Sequence, residues 1–484
     1  MNDIPYPTND VGNGMRFVRD HQQHVRWLID EQEWVVWEGT HWRRYRTDEK
    51  VIALAKLTAA TVINDAARID NPKESARLTS WATQSQNAPR LMAMVKMAKS
   101  DSRLWSSGVD FDQNVYLLNF TNGSVDLRTG ALKAHDPSDM ISCLVPHQFN
   151  DAATAPLWEK LIERCVQVDP SGETAEFLTR TLGYMMLGRN IEQRIVFFVG
   201  PKRTGKSKIV EIVAQALGTD YAWVSQPKLI TRSRWGTHHD SETWSIRGKR
   251  YVCISETDAA MDLDEAVVKN LTGASTLSMR RLHSAGEVQA FVTWSIIVGT
   301  NEEPNVERWD DAIARRTIKI PSGPSLDPSE VDLDLEDKIL RGEVEGVLSS
   351  LVAGAVRWYQ RRQTEGTGLG MPAAVERATR EFENSNDHVA EFIDARVDVG
   401  DGYTVLASDV NKAYQAHRGK GGDSLKSRAL YGRIIEYFKE RQIDITKDAR
   451  FFYGFHLADE KAAAVEPWMT DAARHLATSW KVNE

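Results

Sequence analysis

Apolar residues alternate with polar ones at Trp34, Val36 and Trp42 around the turn Glu38-Gly39-Thr40, and this period of two predicts a β-hairpin. The run VIALAKLTAATVINDAAR that follows has helical spacing behind Thr47 and Asp48, two residues able to cap its start. Beyond it, LLNFTNGSVDLRTGALKAH reads as short strands turned at Asn122-Gly123 and Thr129-Gly130. Over 155–322 the pattern changes. The unbroken apolar runs RIVFFVG, KRYVCISE and WSIIVGTN are buried strands, and helical segments separate them, among them KSKIVEIVAQALG, which ends at Gly218. That alternation predicts an α/β domain with a mainly parallel sheet. A helical stretch containing EVEGVLSSLVAGAVRWYQRR comes next, then a glycine-rich hinge, EGTGLGMP. The last region, 375–460, shows helical patterns closed by a DITKDARFFYGFHL hairpin, an order that suggests a winged helix. The tail after Glu466 is expected to be a final helix or a frayed end.

Composition narrows the class without deciding it. A chain of 484 residues has room for about three domains. Its 42% hydrophobic and 26% charged residues are those of an ordinary globular protein. No run reaches the roughly eighteen apolar residues of a membrane-spanning helix. MNDIPYPTND lacks the basic-then-apolar order of a secretory signal. Cys143, Cys165 and Cys253 lie far apart and form no CxxC pair, which argues for a reducing interior and against a zinc ribbon. A cytoplasmic location, with no membrane partner, is expected. The net charge of −8 means that any nucleic-acid contact must be local, a pore or a basic patch.

The sharpest chemistry is Gly200-Pro201-Lys202-Arg203-Thr204-Gly205-Lys206-Ser207, which fits G-x-x-x-x-G-K-[ST] at every fixed position. An apolar strand precedes it and a helix follows. That register separates a phosphate-binding loop from an accidental glycine-rich turn. The glycines let the backbone curl so that its N–H groups face phosphate, with the helix N-terminus adding positive charge. Lys206 is expected on the β- and γ-phosphates of ATP and the Ser207 hydroxyl on Mg²⁺.

Such a loop needs a carboxylate at the same sheet edge. The strand 251–254 runs into Ser255-Glu256, which puts Glu256 where it could polarise the attacking water and assist Mg²⁺; the alternative is a surface acid at a strand end. The strand from Trp294 ends in Thr300-Asn301, and Asn301 could hold the γ-phosphate or the water. Alone it is weak, since Asn also favours turns. Arg315 and Arg316, after Asp310 and Asp311, precede the TIKIP strand and could reach a neighbouring subunit's ATP, where such a finger contributes about 10³–10⁵ in rate. Their bland reading is a solvated pair or a local salt bridge to the two aspartates.

These elements, in this order, resemble superfamily 3 DNA helicases, and most closely the poxvirus-D5-like branch found in phage and plasmid primase-helicases. W-x-x-W-E-G-x-x-W at 34–42 and N-F-T-N-G-S-V-D-L at 119–127 resemble that branch's N-terminal part. The loop from Gly200, the strand ending at Glu256, and Asn301 resemble motifs A, B and C. Lys269 to Gly273 through Arg280-Arg281-Leu282-His283 resembles motif B′, which in the family carries a channel hairpin. The stretches at 345–348 and 387–393 resemble the lid and the start of a C-terminal winged helix. Two departures stand out: Thr204 where the branch commonly has Asn, and Ser255 where many such ATPases have Asp.

The resemblance implies an α+β N-terminal domain over 1–150, a P-loop AAA+-like ATPase core over 155–322, a helical lid and linker over 323–372, and a winged-helix-like DNA-binding domain over 375–460. It implies a homo-oligomeric, hexameric ring moving 3′ to 5′ on single-stranded and forked DNA, with Arg315 as first and Arg316 as second choice for the finger. A separate primase or polymerase would be a further partner. Lys269, Arg280, Arg281 and His283 are the DNA candidates, since a cationic loop repeated around a ring tracks phosphates without reading sequence; otherwise they face solvent or an acidic neighbour. Ten basic residues against five acidic ones over 412–450 fit the SLKSRALYGRIIEYFKE helix entering a duplex groove, or an ordinary charged helix face. Asp332-Leu333-Asp334 is read as a solvated connector. His238 and His239 are read as structural, since adjacent residues on a strand point apart. The rival functions are an AAA+-like initiator or loader that remodels DNA–protein complexes without processive unwinding, and a DNA-binding protein with a degenerate ATP site.

Overall fold

The hairpin expected at 34–42 is present and belongs to a larger sheet. The computed structural model describes residues 6–166, 169–232, 240–255, 261–280, 287–306, 309–418 and 427–458. Glu256, Arg281, His283, His238, His239 and the tail after Glu466 lie outside the described residues. After helix α1 (Asp10–His21), strands β1 (Val25–Leu28), β2 (Glu33–Trp37) and β3 (Trp42–Tyr45) form an antiparallel meander. Helices α2 (Glu49–Ala67), α3 (Pro72–Ser85) and α4 (Ala88–Lys99) follow, and β4 (Trp105–Ser106) returns to pair with β1. Asp48 sits at the cap position of α2, yet its carboxylate accepts from Trp34 Nε1 and pairs with Lys99, both at 2.9 Å, and does not bond the helix amides. The expected cap is therefore a tie between helix and sheet.

Strands β5 (Leu117–Phe120), β6 (Gly123–Asp126) and β7 (Ala131–Lys133) make the second expected meander. Their side chains Leu118, Phe120 and Val125 belong to the same buried cluster as helices α5 (Pro156–Cys165) and α6 (Glu173–Tyr184). The packing does not break at 150.

The centre of the molecule is a five-stranded parallel sheet in a mixed α/β fold. It contains β8 (Ile195–Val199), β9 (Ala222–Ser225), β10 (Tyr251–Ile254), β13 (Ser295–Thr300) and β14 (Thr317–Pro321), in the spatial order β14-β8-β13-β10-β9. β8, β10 and β13 are buried at every residue, as unbroken apolar strands covered on both faces must be. One face carries α5, α6 and α7 (Lys206–Tyr221), whose backbone leaves helical geometry at Gly218, φ 73°. The other carries α8 (Asp240–Ser245), α9 (Glu265–Gly273), the antiparallel pair β11 (Thr276–Arg280) and β12 (Glu287–Phe291), and α10 (Asp311–Ala314).

Beyond the sheet, α11 (Leu335–Gly342) leads into α12 (Val344–Glu365). Val347, Leu348, Leu351, Val352, Ala355 and Trp358 of α12 join the α6 side of the core, so the expected lid is part of the main packing. Helix α13 (Ala373–Asn386) lies along β14. A last unit has its own core and the order α14 (His388–Arg396), β15 (Val397–Leu406), α15 (Ala407–Arg418), α16 (Ser427–Glu440), β16 (Thr446–Lys447), β17 (Phe451–Leu457), with sheet order β15-β17-β16. No helix among the described residues is long and apolar enough to cross a membrane.

Candidate functional site

β8 is the second strand of the sheet by position. The chain runs from it to β9 at the far edge, works back through β10 and β13, and then crosses to β14 on its other side. The loop after β8 therefore leaves the carboxyl edge at a topological switch point, where open parallel sheets take their ligands. Gly200, at φ 155°, touches Ser322: a Cβ there would lie 2.0 Å from Ser322 Oγ. Gly205, at φ 102°, caps α7, and a Cβ there would meet Leu161 Cδ1 at 2.8 Å. Arg203 is also left-handed, at φ 63°. Residues 322–326 brace the outside of the loop: Ser322 N donates to Val199 O at 2.7 Å and Leu326 N to Arg203 O at 3.0 Å.

Lys206 opens α7 and is only 4% exposed. Its ammonium folds back over the loop and donates to the carbonyls of Gly200 and Pro201, each at 2.7 Å, and to Asn301 Oδ1 at 3.2 Å. Burial lowers its pKa, the Cys165 thiol nearby acting weakly in the opposite sense. Two of the residues expected to act together, Lys206 and Asn301, are thus in contact across 95 residues of sequence. Ser207 lies in the first turn of α7, half-buried. Pro201 and Lys202 occupy the exposed outer part of the loop, while Thr204 is buried against it.

The strand that leads to Glu256 ends beside β13 at the same edge. Ser255, its last described residue, donates its hydroxyl to Glu211 Oε1 on α7. That bond pins the strand end to the loop's own helix, and Glu211 was not anticipated: no motif marks it. Cys165 is a second unanticipated neighbour, its thiol 4.0 Å from a Cβ at Gly205 and raised by burial to about 12.

Arg315 and Arg316 are not at this edge. β14 runs parallel to β8 in the register Thr317 to Ile195 and Pro321 to Val199. Arg316 therefore precedes the amino edge, about 16 Å from the loop along the strands. Arg315 is 78% exposed and faces Asp311 at 3.6 Å. Arg316 turns inward, donating to Ala312 O at 2.7 Å beside Gly273. Lys269, on α9, pairs with Asp310 at 2.6 Å. That bond, with the Ile313 amide, outweighs burial and holds the Asp310 carboxyl below its ordinary range. Lys269 is therefore engaged beside α10, separate from the β11–β12 hairpin on which Arg280 stands opposite Glu287. Leu333 is 80% exposed, in agreement with a solvated connector.

On α16, Arg428, Gly432, Ile435 and Lys439 are exposed and recur at helical spacing along one stripe. Arg433 lies off it, bound to Asp387.

Residues 14–167 match the family described as D5 N terminal like. A protein named as a helicase in Acanthamoeba polyphaga mimivirus is 26% identical over 214 residues, 44% of this chain and 22% of its own length. Another so named, in Invertebrate iridescent virus 6, is 23% identical over 349 residues, 66% of this chain and 36% of its own. The chain thus spans well under half of either relative. Among solved structures, the apo A form of the NrS-1 C-terminal region is similar at 12% identity and a TM-score of 0.47, over 89% of this chain and 96% of that one. An apo structure of its residues 305–718 gives 14% and 0.36, over 71% and 94%.

Proposed function

We propose that the protein is an ATP-dependent DNA helicase of superfamily 3 that acts as a hexameric ring and moves 3′ to 5′ on DNA during phage or mobile-element replication. The observation that carries this reading is the Lys206 ammonium, drawn over the 200–205 loop and met there by Asn301 from the neighbouring strand. A buried cation held by neutral carbonyls at a helix N-terminus suits a polyphosphate, which would offer it full negative charges.

In this reading residues 200–207 hold the phosphates and Lys206 exchanges the loop carbonyls for phosphate oxygens. Asn301 and Glu256 orient the attacking water. Ser207 and Glu256 would hold Mg²⁺, which supplies charge neutralisation on the phosphates. Arg315, exposed and at the opposite sheet edge, is out of reach of its own loop, so its service as a finger belongs to a neighbouring copy. Arg316, turned inward, is the weaker choice. The β11–β12 hairpin, with Arg280 and the residues Arg281 and His283 that follow it in sequence, contacts single strands, and Lys269, paired with Asp310 beside α10, is the weaker candidate. The order α14-β15-α15-α16-β16-β17 supports a winged-helix reading of the last unit, and the Arg428–Lys439 stripe gives it a duplex-facing side.

Strand displacement on a forked duplex tests the whole. The wild-type chain with ATP should release the displaced strand, and Glu256→Gln should bind ATP without doing so. ATP turnover that leaves the fork paired would favour a loader that remodels DNA–protein complexes.

A further inference from the structure

After Asn301 the chain enters a short segment, 302–306, that is gripped from two sides. On one side Asn305 donates its amide to Met261 O at 2.7 Å and accepts from Leu263 N at 3.0 Å. On the other side stands the end of α13. The Val306 amide donates to the buried Asn386 Oδ1 at 2.8 Å, and Asn386 Nδ2 donates to Phe382 O at 2.9 Å. Ser385 Oγ donates to Glu303 Oε2 at 3.0 Å, and Lys319 of β14 pairs with the same carboxylate.

The next residue belongs to the last unit. Asp387 caps α14, its Oδ1 accepting from the amides of Val389 and Ala390. Its Oδ2 pairs with Arg433 of α16 at 2.7 Å, the two side chains 10% and 17% exposed. A pair this buried is little screened by salt and costly to break on one side only. Ser385, Asn386 and Asp387 thus hold the Asn301 segment at one end and α16 at the other, with no flexible linker between. A shift of α16 must strain the ion pair or move 302–306.

We propose that Asn386 and Asp387 are positioning residues that couple α16 to the Asn301 segment, so that duplex or forked DNA held by the last unit changes the rate of hydrolysis at the 200–207 loop. The inference rests on the nucleotide-site reading above and adds the route by which DNA acts on it.

The test uses the full chain and a forked oligonucleotide, with ATP turnover measured with and without DNA alongside DNA affinity and Tm. Asp387→Asn keeps the helix cap and removes the charge, while Arg433→Gln removes its partner. Each should cut the stimulation by DNA at least about fivefold, the lower end of ordinary coupling. Basal turnover and DNA affinity should stay near wild type, Tm should fall more in either single variant than in the double, and the double variant should be stimulated no less than either single. Asn386→Ala should also lose stimulation. Full stimulation in both charge variants overturns the proposal. So does a fall in basal rate that matches the loss of stimulation, a loss explained by weaker DNA binding, or a wild type that hydrolyses ATP indifferently to DNA. A wild type that hydrolyses no ATP defeats the nucleotide reading itself.

Discussion

At the scale of single residues the site depends on backbone shapes that side chains resist. Gly205 combines a left-handed φ of 102° with Leu161 Cδ1 where a Cβ would go. Gly205→Ala should cost about 1–3 kcal/mol of stability and weaken nucleotide binding; thermal unfolding and a fluorescent-nucleotide titration check both, and an unchanged variant would contradict the strain. Cys165 behaves as an apolar wedge. The folded chain holds its proton up to about 12, whereas an unfolded thiol releases it near about 8.5. The stability the neutral thiol contributes is therefore complete below the lower value and lost as pH rises towards the upper one. Cys165→Ala should flatten that part of the alkaline stability profile, and alkylation of Cys165 at pH near 8 should wait for unfolding; rapid labelling of the native chain would refute it. That Lys206 and Asn301 meet at one sheet edge was legible in the sequence, because each follows closely on an unbroken apolar strand. Cys165, Glu211 and Ser322 were not, since each serves by where the fold brings it.

Among the elements, β1, β9 and β15 passed unread, but β2, β3, β5, β6, β8, β10 and β13 declared themselves through period two or unbroken apolar runs. Helix α3 did not: of its fourteen residues only Leu78, Trp81, Ala82 and Ser85 are buried, too sparse a stripe to read. The cap at Asp48 misled for a related reason, because its carboxylate had a better offer from the Trp34 indole. Helix α16 shows what a charge count hides. Arg433 contributes to the basic excess of 412–450 yet is committed to Asp387. Arg428→Ala with Lys439→Ala should weaken duplex binding and reduce the dependence of log affinity on log salt by about one to two. Titrations at several salt concentrations measure this, and an unchanged slope would take the stripe off the DNA. Trp358 of α12 packs against Tyr184, the rings tilted with centroids 5.0 Å apart, and donates to Glu192 at 2.9 Å. Its replacement by Ala should cost about 3–5 kcal/mol in denaturant unfolding, far more than a loosely hinged lid would lose.

For the molecule as a whole, the boundaries drawn from sequence proved finer than the packing. One buried cluster runs from Leu118 through the sheet to Trp358, because β5, β6 and α12 all add buried side chains to the α6–α7 side. Glu31 of the N-terminal part also bonds Arg247 of the core at 2.9 Å as well as Arg44. Sequence periodicity reports what a segment buries, not which neighbour buries it. If Arg315 serves as the finger, its placement at the edge opposite the loop makes assembly part of the chemistry. Arg315→Ala should bind ATP and turn over slowly, and mixing it with Glu256→Gln protein should restore part of the activity through mixed interfaces; no restoration at any ratio would argue against a finger supplied in trans.

The account stands most directly on ATP hydrolysis by the purified chain, followed as phosphate release at saturating ATP and Mg²⁺ beside Lys206→Ala. It predicts turnover in the wild type and none above background in the variant. Equal rates in the two, or no turnover in the wild type with or without DNA, would contradict it.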